Sequence, residues 1–63
     1  MIFKVGDVIV SEVFGFQDII INVKSEHYEI ITLTHGDLDQ LMLSKHFVHT
    51  HYKLLTSIFR ENL

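Results

Sequence analysis

Short segments rich in β-branched residues, separated by turn signals, constrain the fold of this chain more than any other feature. Residues 7–13, 18–24 and 28–34 are dominated by Ile, Val and Thr. These side chains have a restricted χ1 and suit a pleated strand better than a helix. Segments of about seven residues with short turns between them indicate an antiparallel meander rather than a helical bundle.

Residues 18–24 carry the strongest strand pattern. Ile19, Ile21 and Val23 alternate with Asn22 and Lys24, so that apolar and polar side chains fall on opposite faces. We therefore expect the apolar set to face the core, together with the residues in the same phase of the neighbouring strands: Val8, Val10, Tyr28 and Ile30.

The last third of the chain leaves two alternatives open. Ser44 is suited to cap a helical turn over residues 45–48, with a shorter strand at 40–43 before it and a last strand at 52–55 after it. Alternatively, Leu54, Leu55, Ile58 and Phe59 have the spacing of a short amphipathic helix that continues to the end. We favour the strand, followed by a helical or frayed tail.

The 63 residues are predicted to form one domain, with a barrel over residues 3–56 and a tail at 57–63. The predicted fold class is all-β: a small five-stranded antiparallel barrel with one short helical turn before the last strand. Closure is favoured because strands this apolar would leave adhesive edges in an open, flat sheet.

Two stretches resemble Src-homology-3-like barrels, including KOW and CarD-type modules. F-K-V-G-D-V-I-V at residues 3–10 is similar to the step that turns the chain into their first strand. S-K-H-F-V-H-T-H-Y-K-L-L at residues 44–55 is similar to short phage and Gram-positive bacterial proteins of this fold. The resemblance implies an accessory protein that acts on transcription or nucleic-acid machinery. The chain departs from it by lacking basic loops, and we expect no aromatic and acidic peptide groove.

Charge and composition bear on the partner and the compartment. The formal net charge is −3, no cysteine is present, and the longest purely apolar run is too short to span a bilayer. We expect a soluble cytoplasmic protein without a membrane partner.

The basic residues are dispersed, which disfavours nucleic-acid binding. The alternative function is nevertheless a nucleic-acid-binding face with Phe14, Phe16 or Tyr28 as stacking groups and these cations: Lys4, Lys24, Lys45 and Lys53.

Three of the five histidines, His46, His49 and His51, are the candidates for a metal site. His46 and His49 can converge on one helical turn, but His51 lies where the chain becomes extended, and no cysteine is available as a ligand. We interpret them as exposed polar residues around a buried Phe47 and Val48. We predict no metal and no cofactor.

No catalytic pattern is present in the sequence. None of the serines lies in a nucleophile elbow, no phosphate-binding glycine loop occurs, and no spacing singles out a carboxylate pair. We therefore predict a non-enzymatic protein.

The chain has more apolar side chains than the inside of so small a barrel can hold. This excess predicts a surface for a protein partner or a homodimer, unless the tail and the first loop cover it. The predicted partner surface comprises residues of the outward phase, the loop around Gly15 and the tail: Ile9, Phe14, Phe16, Ile20, Ile31 and Phe59.

Overall fold

The computed structural model describes residues 2–34 and 39–58. Five strands and one helix follow one another along the chain, and the helix precedes the last strand. Their bounds are β1, Asp7–Ser11; β2, Gln17–Val23; β3, His27–Thr32; β4, Gln40–Ser44; α1, Lys45–His51; and β5, Tyr52–Ser57.

The strands form one antiparallel sheet in the order β4-β3-β2-β1-β5. The all-β class, the five antiparallel strands and the helix before the last strand are thereby confirmed. In the part of the chain that is described, no ladder joins β4 to β5, so the hydrogen-bonded sheet is open between its two edges. The described ladders thus do not close the sheet into a barrel.

Gly6 makes the turn into β1. The Asp7 N–H donates to the Lys4 carbonyl at 2.9 Å, and the Lys4 N–H donates to Asp7 Oδ2 at 2.9 Å. Gly6 has φ 91°, a conformation that side chains with a Cβ rarely adopt. Its N–H donates to the Ile20 carbonyl at 2.8 Å, which joins the turn to β2.

Two irregularities bend the sheet. The β2–β3 register shifts between Ile20 and Asn22, and the β1–β5 register shifts between Val8 and Ile9. An extra residue in one strand increases its bend and twist locally. The shifts therefore curve the sheet around the side chains on one of its faces.

The core lies on one face of the sheet, here called the inner face. Its fully buried side chains are Phe3, Ile9, Ile20, Tyr28, Ile30 and Val48, with Leu43 and Tyr52 packed against them. Tyr28 and Ile30 were expected to point inward, and this is confirmed.

The predicted phase is wrong for β1 and β2. Ile9 and Ile20 are fully buried on the inner face, whereas Ile19 lies half-buried on the outer face, opposite Val8 and Ile31. Val8 is nevertheless buried in this outer phase, so only the face assigned to it is wrong. The polar Asp18 made this phase of β2 look solvent-facing in the sequence. It is buried in the same phase as Ile20, because its carboxylate has a partner in the fold. When a buried polar residue is hydrogen-bonded inside the fold, its strand buries a face that the sequence alone suggests is exposed.

Helix α1 begins where the sequence predicts and runs longer. Ser44 is the N-cap, and its Oγ accepts a hydrogen bond from the Phe47 N–H at 3.1 Å. The helix continues to His51, and the Tyr52 N–H then donates to the Val48 carbonyl as the chain becomes extended. Val48 is buried as predicted, but the prediction that Phe47 is buried is wrong, because 44% of it is exposed.

The strand alternative is confirmed for the residues after α1, since β5 extends to Ser57. The other parts of the C-terminal prediction concern residues 59–63, including Phe59, which lie outside the described residues, as do residues 35–38 of the turn before β4. Within residues 2–34 and 39–58, no helix is long and apolar enough to cross a membrane.

Candidate functional site: an aromatic groove

An apolar groove of about 380 Å³ lies between the β1–β2 loop and the helix α1. We call it the aromatic groove. One wall comes from the loop and the other from α1 and the start of β5. Its main lining residues are Val13, Phe14, Phe16, Leu43, Phe47 and Tyr52, and Ser11 and His51 complete it.

Ser11 and Gly15 shape the loop wall. The Ser11 Oγ accepts hydrogen bonds from the N–H groups of Val13 at 3.3 Å and Phe14 at 3.2 Å. The Gly15 N–H donates to the Ser11 carbonyl at 3.0 Å, with Gly15 at φ 74°. This tight turn leaves Val13 and Phe14 69% and 72% exposed, and it stacks the rings of Phe14 and Phe16 with centroids 5.4 Å apart.

The helix wall is an aromatic cluster around Phe47. Its ring centroid lies 4.9 Å from that of His51 and 6.1 Å from that of Tyr52. The Glu12 N–H donates to the His51 carbonyl at 2.8 Å, which ties the loop to the last turn of α1. The two walls are therefore held at a set spacing by the backbone.

The Tyr52 hydroxyl is engaged inside the fold. It forms a hydrogen bond with the buried carboxylate of Asp18. Burial, the charge of Asp18 and this hydrogen bond together raise the pKa of Tyr52 to about 12. The hydroxyl thus remains protonated at neutral pH and orients the ring, which presents an apolar surface to the groove.

Behind α1, the buried Tyr28 hydroxyl joins three parts of the chain. It accepts a hydrogen bond from the Phe3 N–H at 3.2 Å and lies 2.7 Å from Nε2 of His49. The Lys45 Nζ stands 5.5 Å from the centre of the Tyr28 ring. Burial lowers the pKa of His49, and the positive charges of Lys45 and His46 contribute in the same direction.

The three candidate metal ligands have different surroundings. His49 contacts Tyr28, His51 packs against Phe47, and the backbone carbonyl of His46 accepts a hydrogen bond from Thr50 Oγ1 at 2.8 Å. Among residues 2–34 and 39–58, no group of three or more His, Asp or Glu side chains is placed to hold a metal ion.

The structure divides the predicted partner surface. Phe14 and Phe16 lie together in the aromatic groove. Ile9 and Ile20 belong to the core, so placing them on a partner surface is wrong, and Ile31 is half-buried on the outer face. Phe59 lies outside the described residues.

Sequence reasoning missed the helix wall of the aromatic groove. Phe47 was predicted to be buried together with its neighbour Val48, but two adjacent residues of one short helix do not both point inward. The available signal was the helical spacing of Phe47 and His51 after the capping residue Ser44, with Tyr52 directly following, which places aromatic rings on one side of the helix.

The lysines of the alternative function lie at separate places. Lys24 and Lys45 flank the β2–β3 turn, where their N–H groups donate to the His27 and Glu26 carbonyls at 2.8 and 2.9 Å. Lys53 lies on β5, at the other edge of the sheet. Lys4 belongs to the turn before β1.

Neither a scan against protein-family models, nor a search of curated proteins, nor a search of solved structures finds a match to this chain.

Proposed function

We propose that this chain is a small non-enzymatic interaction module that binds a segment of a protein partner in its aromatic groove. The observation that carries the proposal is an apolar concavity with large exposed side chains from two elements, Phe14 of the loop and Phe47 of the helix. Exposed aromatic surface of this kind is typical of protein-binding sites.

The chemistry of the lining indicates which ligand fits. The Ser11 hydroxyl already accepts hydrogen bonds from the loop, and the Tyr52 hydroxyl is engaged by Asp18. Among the polar side chains of the lining, only the His51 ring is left to bind a small charged substrate. The stacked Phe14 and Phe16 rings and the Phe47 ring instead favour the apolar side chains of an extended peptide.

The resemblance to Src-homology-3-like barrels is part of the proposal. The five-stranded order, with a helix between the two edge strands in the chain, supports a partly open Src-homology-3-like barrel in which α1 joins β4 to β5 and the β4 edge stays unpaired. On that resemblance, we propose a phage or bacterial accessory protein of the cytoplasm whose partner belongs to transcription or nucleic-acid machinery.

The test is selection of peptides on the immobilised protein from a random peptide library, followed by titration of the selected peptides. Phe14→Ala and Phe47→Ala are expected to weaken binding about tenfold or more, as loss of an aromatic anchor does. Ile2→Ala is the matched control, because Ile2 is exposed and lies outside the groove. Its affinity for the peptides should equal that of the wild type.

Two outcomes would contradict the proposal. One is peptides that bind the two groove variants as tightly as the wild type. The other is no enriched peptide, together with steeply salt-dependent binding of an oligonucleotide, which would indicate the lysine-based alternative.

A further inference from the structure

Strand β4 is an edge strand with an uncharged sequence, Q-L-M-L-S. Among residues 2–34 and 39–58 it pairs only with β3, and that pairing runs without a register shift. Leu41 and Met42 are 48% and 51% exposed. Proteins commonly protect such an edge with charges, proline or a bulge, because its free backbone groups readily pair with another strand.

The ladder shows which backbone groups of β4 point away from β3 and have no strand partner among residues 2–34 and 39–58. At its two ends, the Thr32 N–H donates to the Asp39 carbonyl at 3.3 Å, and the Lys45 N–H donates to the Glu26 carbonyl at 2.9 Å. In an antiparallel pair, hydrogen-bonded residues recur at every second position. The backbone groups of Leu41 and Leu43 therefore face β3, and those at alternate positions face the open edge: Gln40, Met42 and Ser44.

We propose that two copies of this chain pair antiparallel through their β4 edges, centred on Met42, to form one continuous sheet. This register places Met42 opposite Met42 of the second copy, and Gln40 opposite Ser44. The edge groups of Gln40 and Met42 and the Ser44 N–H then find partners, whereas the Ser44 carbonyl belongs to the first turn of α1. A shift by one residue would instead set free backbone groups against groups already bonded to β3.

Charge complementarity selects this register. With Met42 at the two-fold axis, Asp39 precedes β4 in one copy where Lys45 begins α1 in the other, so opposite charges come together just beyond both ends of the paired strands. A parallel arrangement would place Asp39 beside Asp39 and Lys45 beside Lys45. If the two strands shifted by two residues, Asp39 would lie opposite Leu43, or Lys45 opposite Leu41, depending on the direction of the shift.

The same register brings apolar side chains together. Leu41 and Leu43 lie on the inner face, opposite Ile30 and Tyr28 of β3. Across the two-fold axis, Leu41 of one copy meets Leu43 of the other, so pairing buries side chains that are exposed in the single chain. Cross-strand apolar pairs stabilise a sheet in this way.

The paired edge and the aromatic groove share only Leu43 among the described residues, so pairing leaves the other lining residues of the groove accessible. If the proposed function holds, the dimer carries two aromatic grooves and binds a partner with two suitable segments more tightly than one groove does.

The first measurement is the mass in solution by sedimentation over micromolar to millimolar concentrations. We expect a concentration-dependent species of twice the 7.4 kDa chain mass. Met42→Lys places like charges opposite each other at the axis and should raise the dimer Kd about tenfold or more. Leu55→Lys on β5 is the matched control, with the same 51% exposure, and should leave the Kd unchanged.

The register itself is tested by charge reversal. Asp39→Lys places Lys opposite Lys45, and Lys45→Asp places Asp opposite Asp39, so each variant alone should dimerise about tenfold more weakly. Mixed together, they restore opposite charges at both ends and should form a heterodimer in preference to either homodimer. Circular dichroism of each variant checks that it is folded.

A chain that remains monomeric at millimolar concentration would overturn the proposal. So would a dimer whose Kd is unchanged by Met42→Lys, or two folded charge variants that show no preference for each other. Peptide selection on Met42→Lys separates the two proposals, because this variant retains every residue of the groove.

Discussion

At the residue scale, two tyrosine hydroxyls connect distant segments through hydrogen bonds inside the fold. Tyr28 links the segment before β1 to α1 through Phe3 and His49, and Tyr52 links β5 to the buried Asp18 of β2. A buried hydroxyl or carboxylate without a partner costs free energy of folding, so these pairs select the arrangement of segments that satisfies them.

Stability is expected to fall as the pH falls from 7 to 5. The pKa of His49 is lowered in the folded state by burial and by the charges of Lys45 and His46, so below about 6.5 the unfolded chain binds more protons. In the folded state, protonation of Nε2 would also displace the Tyr28 hydroxyl proton from its acceptor. Urea unfolding at each pH measures the free energy.

The control for the pH dependence is His49→Gln, which keeps the other titratable groups. Its free energy of unfolding should vary less between pH 7 and 5 than that of the wild type. An unchanged slope would show that His49 does not carry the effect.

Tyr52→Phe is expected to lower the free energy of unfolding at pH 7 by about 1–3 kcal/mol, because the buried Asp18 carboxylate loses a donor. The contribution of this hydroxyl should be complete below about pH 10 and lost as the pH rises through its raised pKa of about 12. Denaturant unfolding of both proteins checks this.

The Phe ring still lines the aromatic groove, so peptide affinity serves as the control for Tyr52→Phe and should be retained. If Tyr52→Phe and the wild type had the same free energy of unfolding at pH 7, the hydrogen bond between Tyr52 and Asp18 would not contribute to stability.

At the scale of elements, the loop at residues 12–16 and the helix α1 are each formed by local interactions. Ser11 and Gly15 shape the loop, and Ser44 caps the helix. The Glu12 N–H bond to the His51 carbonyl then sets one element against the other. The aromatic groove is the space between these two elements, so the backbone conformation of the loop controls it directly.

Gly15→Ala is expected to destabilise the fold by about 1 kcal/mol, although no atom lies within 4 Å of the added Cβ. The cause is the φ of 74° and not a clash, since residues with a Cβ are strained in this region. Thermal or urea unfolding measures the loss.

Gly15→Asn provides the matched control, because Asn tolerates a positive φ better than Ala does. It should lose less stability despite its larger side chain. If Ala and Asn were tolerated equally, the backbone conformation of Gly15 would not be the source of the cost.

At the scale of the whole molecule, two surfaces of the sheet are available to partners. The aromatic groove lies beside α1, and the β4 edge exposes uncharged backbone and apolar side chains. Only Leu43 contributes both to the groove lining and to the edge strand. The two proposed interactions therefore concern largely separate side chains, and variants such as Phe14→Ala and Met42→Lys test them independently.

The local pattern of the sequence was enough to predict the five strands, the capped helix and their order. These features depend on side-chain stiffness, turn glycines and capping groups within a few residues, so a single segment contains the information. The bounds differ from the predicted ones by a residue or two at most ends, and α1 extends to His51.

Only the tertiary structure decided which face of β1 and β2 is buried and where the aromatic groove lies. Asp18 is buried in the same phase as Ile9 and Ile20, and its partner Tyr52 lies more than thirty positions away in the chain. The groove likewise joins Phe14 to Phe47 across a similar separation. Such contacts form only when the chain closes on itself, because neither partner leaves a signal in the residues next to the other.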